Sequence, residues 1–195
     1  MTNAEFYLED LKTKFNKINP DEYYLSYSGG RDSHLLYWFI KEYAKIDGIK
    51  IVGINTYMEH PEIRERIYKY SDEVLLPELK PFEIKEKYGI PCFSKWQDDM
   101  IHRYQNGSRQ PYLIERITGI HKDTGEQIIG RFKLNNIAKE LLLSGKLHKV
   151  SPKCCSYLKK KPARKFEKES GLKPILGVRG NESGLRKKTI YKLLY

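Results

Sequence analysis

The sequence has few cysteines, no long apolar run and no basic segment at its start. Its 195 residues include 3 cysteines, and an odd number cannot close a disulfide framework, so we expect a reducing, cytoplasmic setting. Leu35 to Ile40, one of the longest apolar stretches, is far shorter than the roughly 18 residues that a bilayer helix needs. Residues 1–10 are acidic overall and lack the basic segment followed by an apolar segment that a signal peptide has. These absences exclude membrane insertion and classical secretion as leading predictions, and no membrane partner is expected.

Acidic residues are scarce in the last quarter of the chain. Lys and Arg number 36 against 25 Asp and Glu, which gives a net charge of +11. Residues 151–195 hold 13 of the basic residues and only 3 of the acidic ones. Such a charge attracts polyanions, either a phosphorylated nucleotide or a nucleic acid, and a solvated basic surface is the alternative interpretation.

The periodicity of apolar residues predicts strands that alternate with helices. This order indicates an α/β fold with a doubly wound, mainly parallel sheet of about five strands and helices on both faces. We predict one domain over residues 1–195, with a less regular, mostly helical insert at about 82–149. Strands are predicted at residues 22–27, 49–55, 73–76 and 174–178, a hairpin from 117–121 and 127–132, and helices at 4–18, 33–45, 61–70, 81–88, 95–104, 136–144, 155–170 and 185–194.

The strongest local signal is the segment Ser28-Gly29-Gly30-Arg31-Asp32-Ser33 between a predicted strand and a predicted helix. Paired glycines permit a close backbone approach, successive N–H groups point one way, and the helix adds its positive N-terminal end, so the segment predicts an anion site. The alternative is an ordinary turn in which Asp32 or Ser33 caps the helix. We expect Gly29 and Gly30 to lie outside the core, so that valine at either position abolishes binding without unfolding.

This segment resembles the SGGxDS pyrophosphate loop of the adenine nucleotide alpha hydrolase superfamily. Thr56 and the Pro61-Glu62 pair fit its 3′-phosphoadenosine 5′-phosphosulfate (PAPS) reductase branch. Residues 154–162, CCSYLKKKP, are similar to the CCxxRKxxP segment of that branch, and residues 177–183, GVRGNES, to its GxRxxES segment. The resemblance implies that the chain binds an adenine nucleotide: ATP, PAPS or adenylyl sulfate.

The resemblance and the predicted strand ends together give a set of candidate site residues. Ligands of open parallel sheets bind outside the carboxyl ends of the strands, where Asn55, Thr56 and Arg179 are predicted to lie with the glycine loop. Asp32 is the candidate Mg²⁺ ligand, through the phosphates of ATP. The predicted nucleotide-binding residues are Ser28, Gly29, Gly30, Arg31, Asp32, Ser33, Asn55, Thr56, Gly177 and Arg179, and the predicted catalytic residues are Arg31, Asp32, Lys159 and Arg179.

The chain also departs from the family pattern. Leu158 stands where the family often has an arginine. No cysteine follows Cys155, so we expect no thioredoxin-dependent PAPS reduction by the usual tail-cysteine route.

The three cysteines, Cys92, Cys154 and Cys155, have three possible roles: core packing, a thiol role in sulfur handling, or an iron–sulfur site with one open iron. We expect no iron–sulfur cluster, because such clusters usually take four thiolates. The predicted helix start at Cys155, with Lys153 and Lys159 nearby, favours the thiolate form.

We therefore expect an enzyme that acts at the α-phosphate side of an adenine nucleotide, by an ATP pyrophosphatase or adenylyltransferase type of step linked to sulfur or nucleic-acid modification. Possible partners are a nucleic acid or a sulfur-carrier protein. One alternative is a PAPS or adenylyl-sulfate reductase that uses a cysteine outside the tail. Another is a non-catalytic module that senses nucleotides or binds nucleic acid.

Overall fold

The structure is a computed structural model, and it describes residues 2–128 and 134–178. These residues divide into two compact units: residues 2–76 and 162–178 form the first, and residues 77–128 and 134–161 form the second. The second unit contains the described part of the predicted insert and extends beyond it at both ends. Among the described residues, no helix is long and apolar enough to cross a membrane.

Alternating helices and strands give an α/β fold with a Rossmann-like parallel sheet. The helices in chain order are α1 (Asn3–Phe15), α2 (Arg31–Trp38), α3 (Pro61–Tyr70), α4 (Pro81–Tyr88), α5 (Lys95–Gln105), α6 (Pro111–Thr118), α7 (Asn136–Leu143) and α8 (Lys161–Ser170), and π-helical turns follow α2 at Phe39–Tyr43 and precede α8 at Ser156–Lys160. The strands are β1 (Tyr23–Tyr27), β2 (Lys50–Ile54), β3 (Glu73–Leu75) and β4 (Lys173–Ile175). The predicted helix at 185–194 lies outside the described residues.

The sheet of the first unit has the strand order β3-β2-β1-β4, and every pair is parallel. It therefore has four strands within the described residues, where about five were predicted. The register places Leu25 beside Ile51 on one side and beside Ile175 on the other. β1 is thus an inner strand, and its carboxyl end lies between those of β2 and β4.

Both faces of the sheet are covered by helices, as the alternation along β1 requires. Leu25 and Tyr27 are buried in a cluster that includes Phe39 and Ile67, and residues of α1 pack against that cluster. Tyr24 points to the other face, where it packs with Val52 and with Phe166 of α8. The expectation of helices on both faces is confirmed.

The second unit contains α4 to α7 and has its own apolar core. This core is formed by buried residues of α5, α6 and α7 together with Leu134 and Val150. Residues 117 and 118 end α6 where the hairpin prediction had a strand, because α6 begins with Pro111 and buries Leu113 and Ile117 on one face. The predicted antiparallel pairing is present in part, as a bridge between Ile120 and Gln127, and residues 129–132 of the predicted hairpin lie outside the described residues.

Candidate functional site

The Ser28–Ser33 loop joins the carboxyl end of β1 to the first turn of α2. Gly30 is the N-cap of α2, so neither Asp32 nor Ser33 has the capping role that the ordinary-turn alternative gave them. Within the described part of the chain, no side-chain hydrogen bond caps this turn. The positive end of α2 therefore faces the loop without a carboxylate or hydroxyl cap, as in helix N-termini that bind anions.

The side chain of Ser33 fixes the shape of the loop through hydrogen bonds within it. Its side chain is buried, with 4% of its surface exposed. The Ser33 hydroxyl donates to the carbonyl of Gly30 at 3.0 Å and accepts the Ser28 N–H at 3.3 Å, and the two serine hydroxyls lie 3.0 Å apart. Because these bonds close the loop on itself, its backbone is held in place before any ligand arrives.

The two glycines of the loop have different surroundings. Gly29 is buried, has a φ of +71°, and a Cβ there would lie 2.9 Å from the carbonyl oxygen of Ile63 in α3. The expectation that Gly29 lies outside the core is therefore wrong. Gly30 has an extended backbone, and among the described residues a Cβ there would meet only the Ser28 hydroxyl, at 3.5 Å. Gly30 is thus the position at which a side chain can be added without disturbing the fold.

The loop borders an open cavity of about 190 Å³, which is lined by Ser28, Gly30, Arg31, Asp32, Ser33 and Gly177. Gly177 follows β4 and reaches the loop closely. A Cβ on Gly177 would lie 3.0 Å from the carbonyl carbon of Asp32 and from the nitrogen of Ser33. The cavity has room for several water-sized groups, and therefore for a phosphate chain.

Asn55 and Thr56 lie at the carboxyl end of β2 but do not line this cavity. Both are buried. The Asn55 side chain donates to the Tyr68 hydroxyl at 3.0 Å, and the Thr56 hydroxyl donates to Glu59 at 2.5 Å. Their polar side chains therefore hold the segment after β2 in place in this structure.

Tyr57 is a residue that the sequence reasoning missed. It has a φ of +64°, which is rare for a residue other than glycine, and its N–H donates to the Asn55 side chain at 2.9 Å. Its side chain is 42% exposed. An exposed ring in a constrained conformation thus lies at the carboxyl edge of the sheet, beyond the strand next to the loop.

His34 was also missed, and it lies in a second cavity of the first unit. This cavity has a volume of about 390 Å³ and lies between residues of α2 and α3. His34 Nδ1 is 2.8 Å from the hydroxyl of Tyr27, and its ring stacks on Tyr37. Burial raises the pKa of Tyr27 to about 12. The residues that line this second cavity are His34, Glu62, Glu65, Arg66, Lys69 and Tyr70.

The remaining predicted site residues are not among the described residues of the first unit. Lys159 and the three cysteines belong to the second unit, in which Lys159, Cys92 and Cys155 are exposed, and Cys154 is partly buried. Burial, together with the neighbouring Cys155, raises the pKa of the Cys154 thiol. The described residues contain no group of three His, Cys, Asp or Glu side chains placed to hold a metal ion. Arg179 lies outside the described residues.

Basic side chains in the second unit gather around two stacked tyrosines. The rings of Tyr88 and Tyr157 are 4.8 Å apart, and their hydroxyl groups form a short hydrogen bond. Lys153 lies 4.8 Å from the ring centre of Tyr88, and Lys161 lies 3.7 Å from that of Tyr157. The bond from Tyr88 and the nearby Lys161 and Lys153 lower the pKa of Tyr157. We call Tyr88, Tyr157, Lys153 and Lys161 the tyrosine–lysine cluster.

Comparisons with known proteins add no relative: the chain matched no protein-family model, no curated protein and no solved structure.

Proposed function

We propose that this chain is an enzyme that binds an adenine nucleotide through the Ser28–Ser33 loop and acts at its α-phosphate side. The proposed reaction is an ATP pyrophosphatase or adenylyltransferase step in sulfur or nucleic-acid modification, in keeping with the resemblance to the PAPS reductase family. One observation carries the proposal: a glycine loop at the end of an inner parallel strand borders a cavity at the uncapped start of a helix.

The cavity supplies the contacts that a phosphate chain needs. Arg31 offers a charged donor that can bind two phosphate oxygens at once, and the N–H groups at the start of α2 add neutral donors. Gly177 leaves room that a side chain would fill. These features favour binding of the β- and γ-phosphates of ATP, which depart together as pyrophosphate.

In the proposed step, an oxygen of the acceptor attacks the α-phosphorus while the bond to the β-phosphate oxygen breaks. Catalysis then depends on positioning and on neutralising the charge that develops on pyrophosphate. Arg31 performs this role from the loop, and the resemblance assigns the same role to Lys159 and Arg179. Asp32 lines the cavity, and its carboxylate is the candidate Mg²⁺ ligand, in which case the ion would supply further positive charge to the phosphates.

The proposal is tested by comparing ATP with adenosine in binding experiments, because only ATP carries the phosphates. We expect ATP to bind the parent chain at least tenfold more tightly than adenosine does. Gly30→Val should remove that difference and keep the fold, since the site has open space and an extended backbone. Arg31→Gln should reduce the difference in part, by about 1.5–3 kcal/mol. Equal ATP affinity in a folded Gly30→Val variant would overturn the proposal.

Activity assays separate this function from its alternatives. Pyrophosphate release from ATP supports the proposal, whereas sulfite release from PAPS with reduced thioredoxin would support a reductase that uses Cys154 or Cys155. The tyrosine–lysine cluster favours a second candidate function, nucleic-acid binding, because lysines and aromatic rings recognise phosphates and bases. Nucleotide-independent binding of nucleic acid, with no pyrophosphate release, would favour the non-catalytic module.

A further inference from the structure

A cysteine and a histidine that are distant in sequence meet in the second unit. The sulfur of Cys92 lies 2.9 Å from Nε2 of His148. Both residues are exposed, so a molecule in solution can reach them. A thiol beside an imidazole at hydrogen-bonding distance is the arrangement in which histidine can accept the proton of an attacking cysteine.

The backbone on both sides holds this pair in place. Ile90 and Val150 pair as a parallel bridge, with the Ile90 N–H donating to the carbonyl of Lys149 at 3.1 Å. Gln105 fastens the histidine segment, since its side chain donates to the His148 carbonyl at 2.8 Å and accepts the Val150 N–H at 2.9 Å. The two chain segments that carry the pair are therefore fixed side by side.

Asp98 fastens the cysteine segment in a similar way. Its carboxylate is buried, with 1% exposed, and accepts the N–H groups of Cys92 and Phe93 at 3.1 and 2.9 Å. Burial and this carboxylate raise the pKa of the Cys92 thiol. Cys92 is thus a neutral thiol at neutral pH and needs a base in order to react.

We propose that Cys92 and His148 form a nucleophilic dyad that exchanges with a disulfide of low molecular weight. The inference does not rest on the nucleotide function, because every residue that it uses belongs to the second unit. The substrate class is a disulfide because a solvent-exposed thiol with an adjacent base has the two groups that exchange requires.

The exchange is balanced without a further reagent. The Cys92 sulfur attacks one sulfur of the disulfide while its proton passes to Nε2 of His148. A new S–S bond forms, the original S–S bond breaks, and the departing thiolate takes the proton back from the imidazolium. Cys92 is oxidised to a mixed disulfide, and one half of the disulfide is reduced to a thiol.

The test measures the rate at which oxidised glutathione modifies Cys92, with the adduct located by peptide mass spectrometry. The chain has 3 cysteines, so a parent that carries Cys154→Ser and Cys155→Ser keeps Cys92 as its single thiol. His148→Gln in this parent should lower the rate at neutral pH by roughly tenfold to a hundredfold. His121→Gln, which changes another exposed histidine of the same unit, should leave the rate unchanged.

The pH dependence of the same reaction gives a second measurement. In the parent, the rate should rise at a lower pH than in His148→Gln, because the parent thiol has a base beside it. In His148→Gln the rise should come only at higher pH, because burial and the Asp98 carboxylate raise the pKa of the Cys92 thiol. Equal rates in the parent and in His148→Gln would overturn the proposal. If that variant does not fold, His148→Asn replaces it, and an unchanged rate in His148→Asn would overturn the proposal too.

Discussion

Gly177 packs so closely against the backbone of the glycine loop that an added methyl group would force the loop to move. We expect Gly177→Ala to weaken ATP binding by roughly tenfold, about 1.4 kcal/mol. The reason is that the new Cβ would lie 3.0 Å from backbone atoms of Asp32 and Ser33, so the loop must shift. Gly30→Ala is the matched control, because its Cβ would meet only a hydroxyl, at 3.5 Å, in the part of the chain that the structure describes. Affinities that fall equally in both variants would contradict this account. Calorimetric titration with ATP measures the difference.

Replacing Tyr57 should change the stability of the protein and its affinity for ATP in opposite directions. Its φ of +64° disfavours tyrosine, whereas asparagine adopts such a conformation more easily. We therefore expect Tyr57→Asn to raise the free energy of unfolding by about 0.5–1 kcal/mol. If the exposed ring stacks on the adenine, the same variant should bind ATP several-fold more weakly and pyrophosphate as before. Unchanged ATP affinity would remove Tyr57 from the proposed site.

At the level of elements, the end of α4 depends on Gly89. Its φ is +91°, and a Cβ there would collide with the backbone carbonyl of Lys149. We expect Gly89→Ala to lower the free energy of unfolding by more than 2 kcal/mol, since about 1–3 kcal/mol of backbone strain adds to the clash. Gly107→Ala is the control, because Gly107 has a φ of +89° and a Cβ there would have no atom of the described chain within 4 Å. Urea denaturation measures the loss in free energy of unfolding in each variant. Both variants carry the backbone strain, so the difference between the two losses measures the clash at Gly89. Equal losses would refute that clash.

Elements with strong local signals could be predicted from the sequence. α3 occupies the predicted residues 61–70, because Pro61 starts it and its apolar residues recur at helical spacing. α6 was not predicted, because the turn residues Asp123-Thr124-Gly125 favour a hairpin whose first strand would begin at Ile117. Its burial of Leu113 and Ile117 against α5 and α7 is a tertiary effect that overrides this local pattern.

The candidate site was predictable only in part, for the same reason. The glycine loop is contiguous in sequence, so its position between a strand and a helix was correctly predicted. The packing of Gly29 against Ile63 depends on where α3 crosses the loop, which no local pattern specifies. Cys92 and His148 are 56 positions apart, and only the pairing of their segments brings them together.

At the level of the whole molecule, two buried tyrosines of β1 should make the free energy of unfolding depend on pH in the alkaline range. Burial raises the pKa of Tyr27 to about 12, and burial with the Glu167 hydrogen bond raises that of Tyr24 as well, from a usual value of 10.0. Between pH 10 and about 12, these two tyrosines have lost their protons in the unfolded chain and still keep them in the folded chain. Stability is therefore full below pH 10 and should fall as the pH rises toward 12.

Urea midpoints between pH 9 and 12 test this prediction. Tyr24→Phe removes one of the two groups, so its midpoint should decline less steeply with pH. Tyr7→Phe is the control, since Tyr7 is 70% exposed and should leave the slope unchanged. Identical slopes in all three proteins would show that neither buried tyrosine carries the effect.

The strand order β3-β2-β1-β4 has a consequence for how the protein forms during synthesis. β1, β2 and β3 leave the ribosome first, and the chain of the second unit follows before β4 and Gly177 appear. At about 5–20 residues per second, the interval between β3 and β4 lasts roughly 5–20 s. During that time the edge of β1 that will receive β4 is open to pairing with another nascent chain. The glycine loop is thus translated early, and its cavity can form only after β4 and Gly177 have been translated.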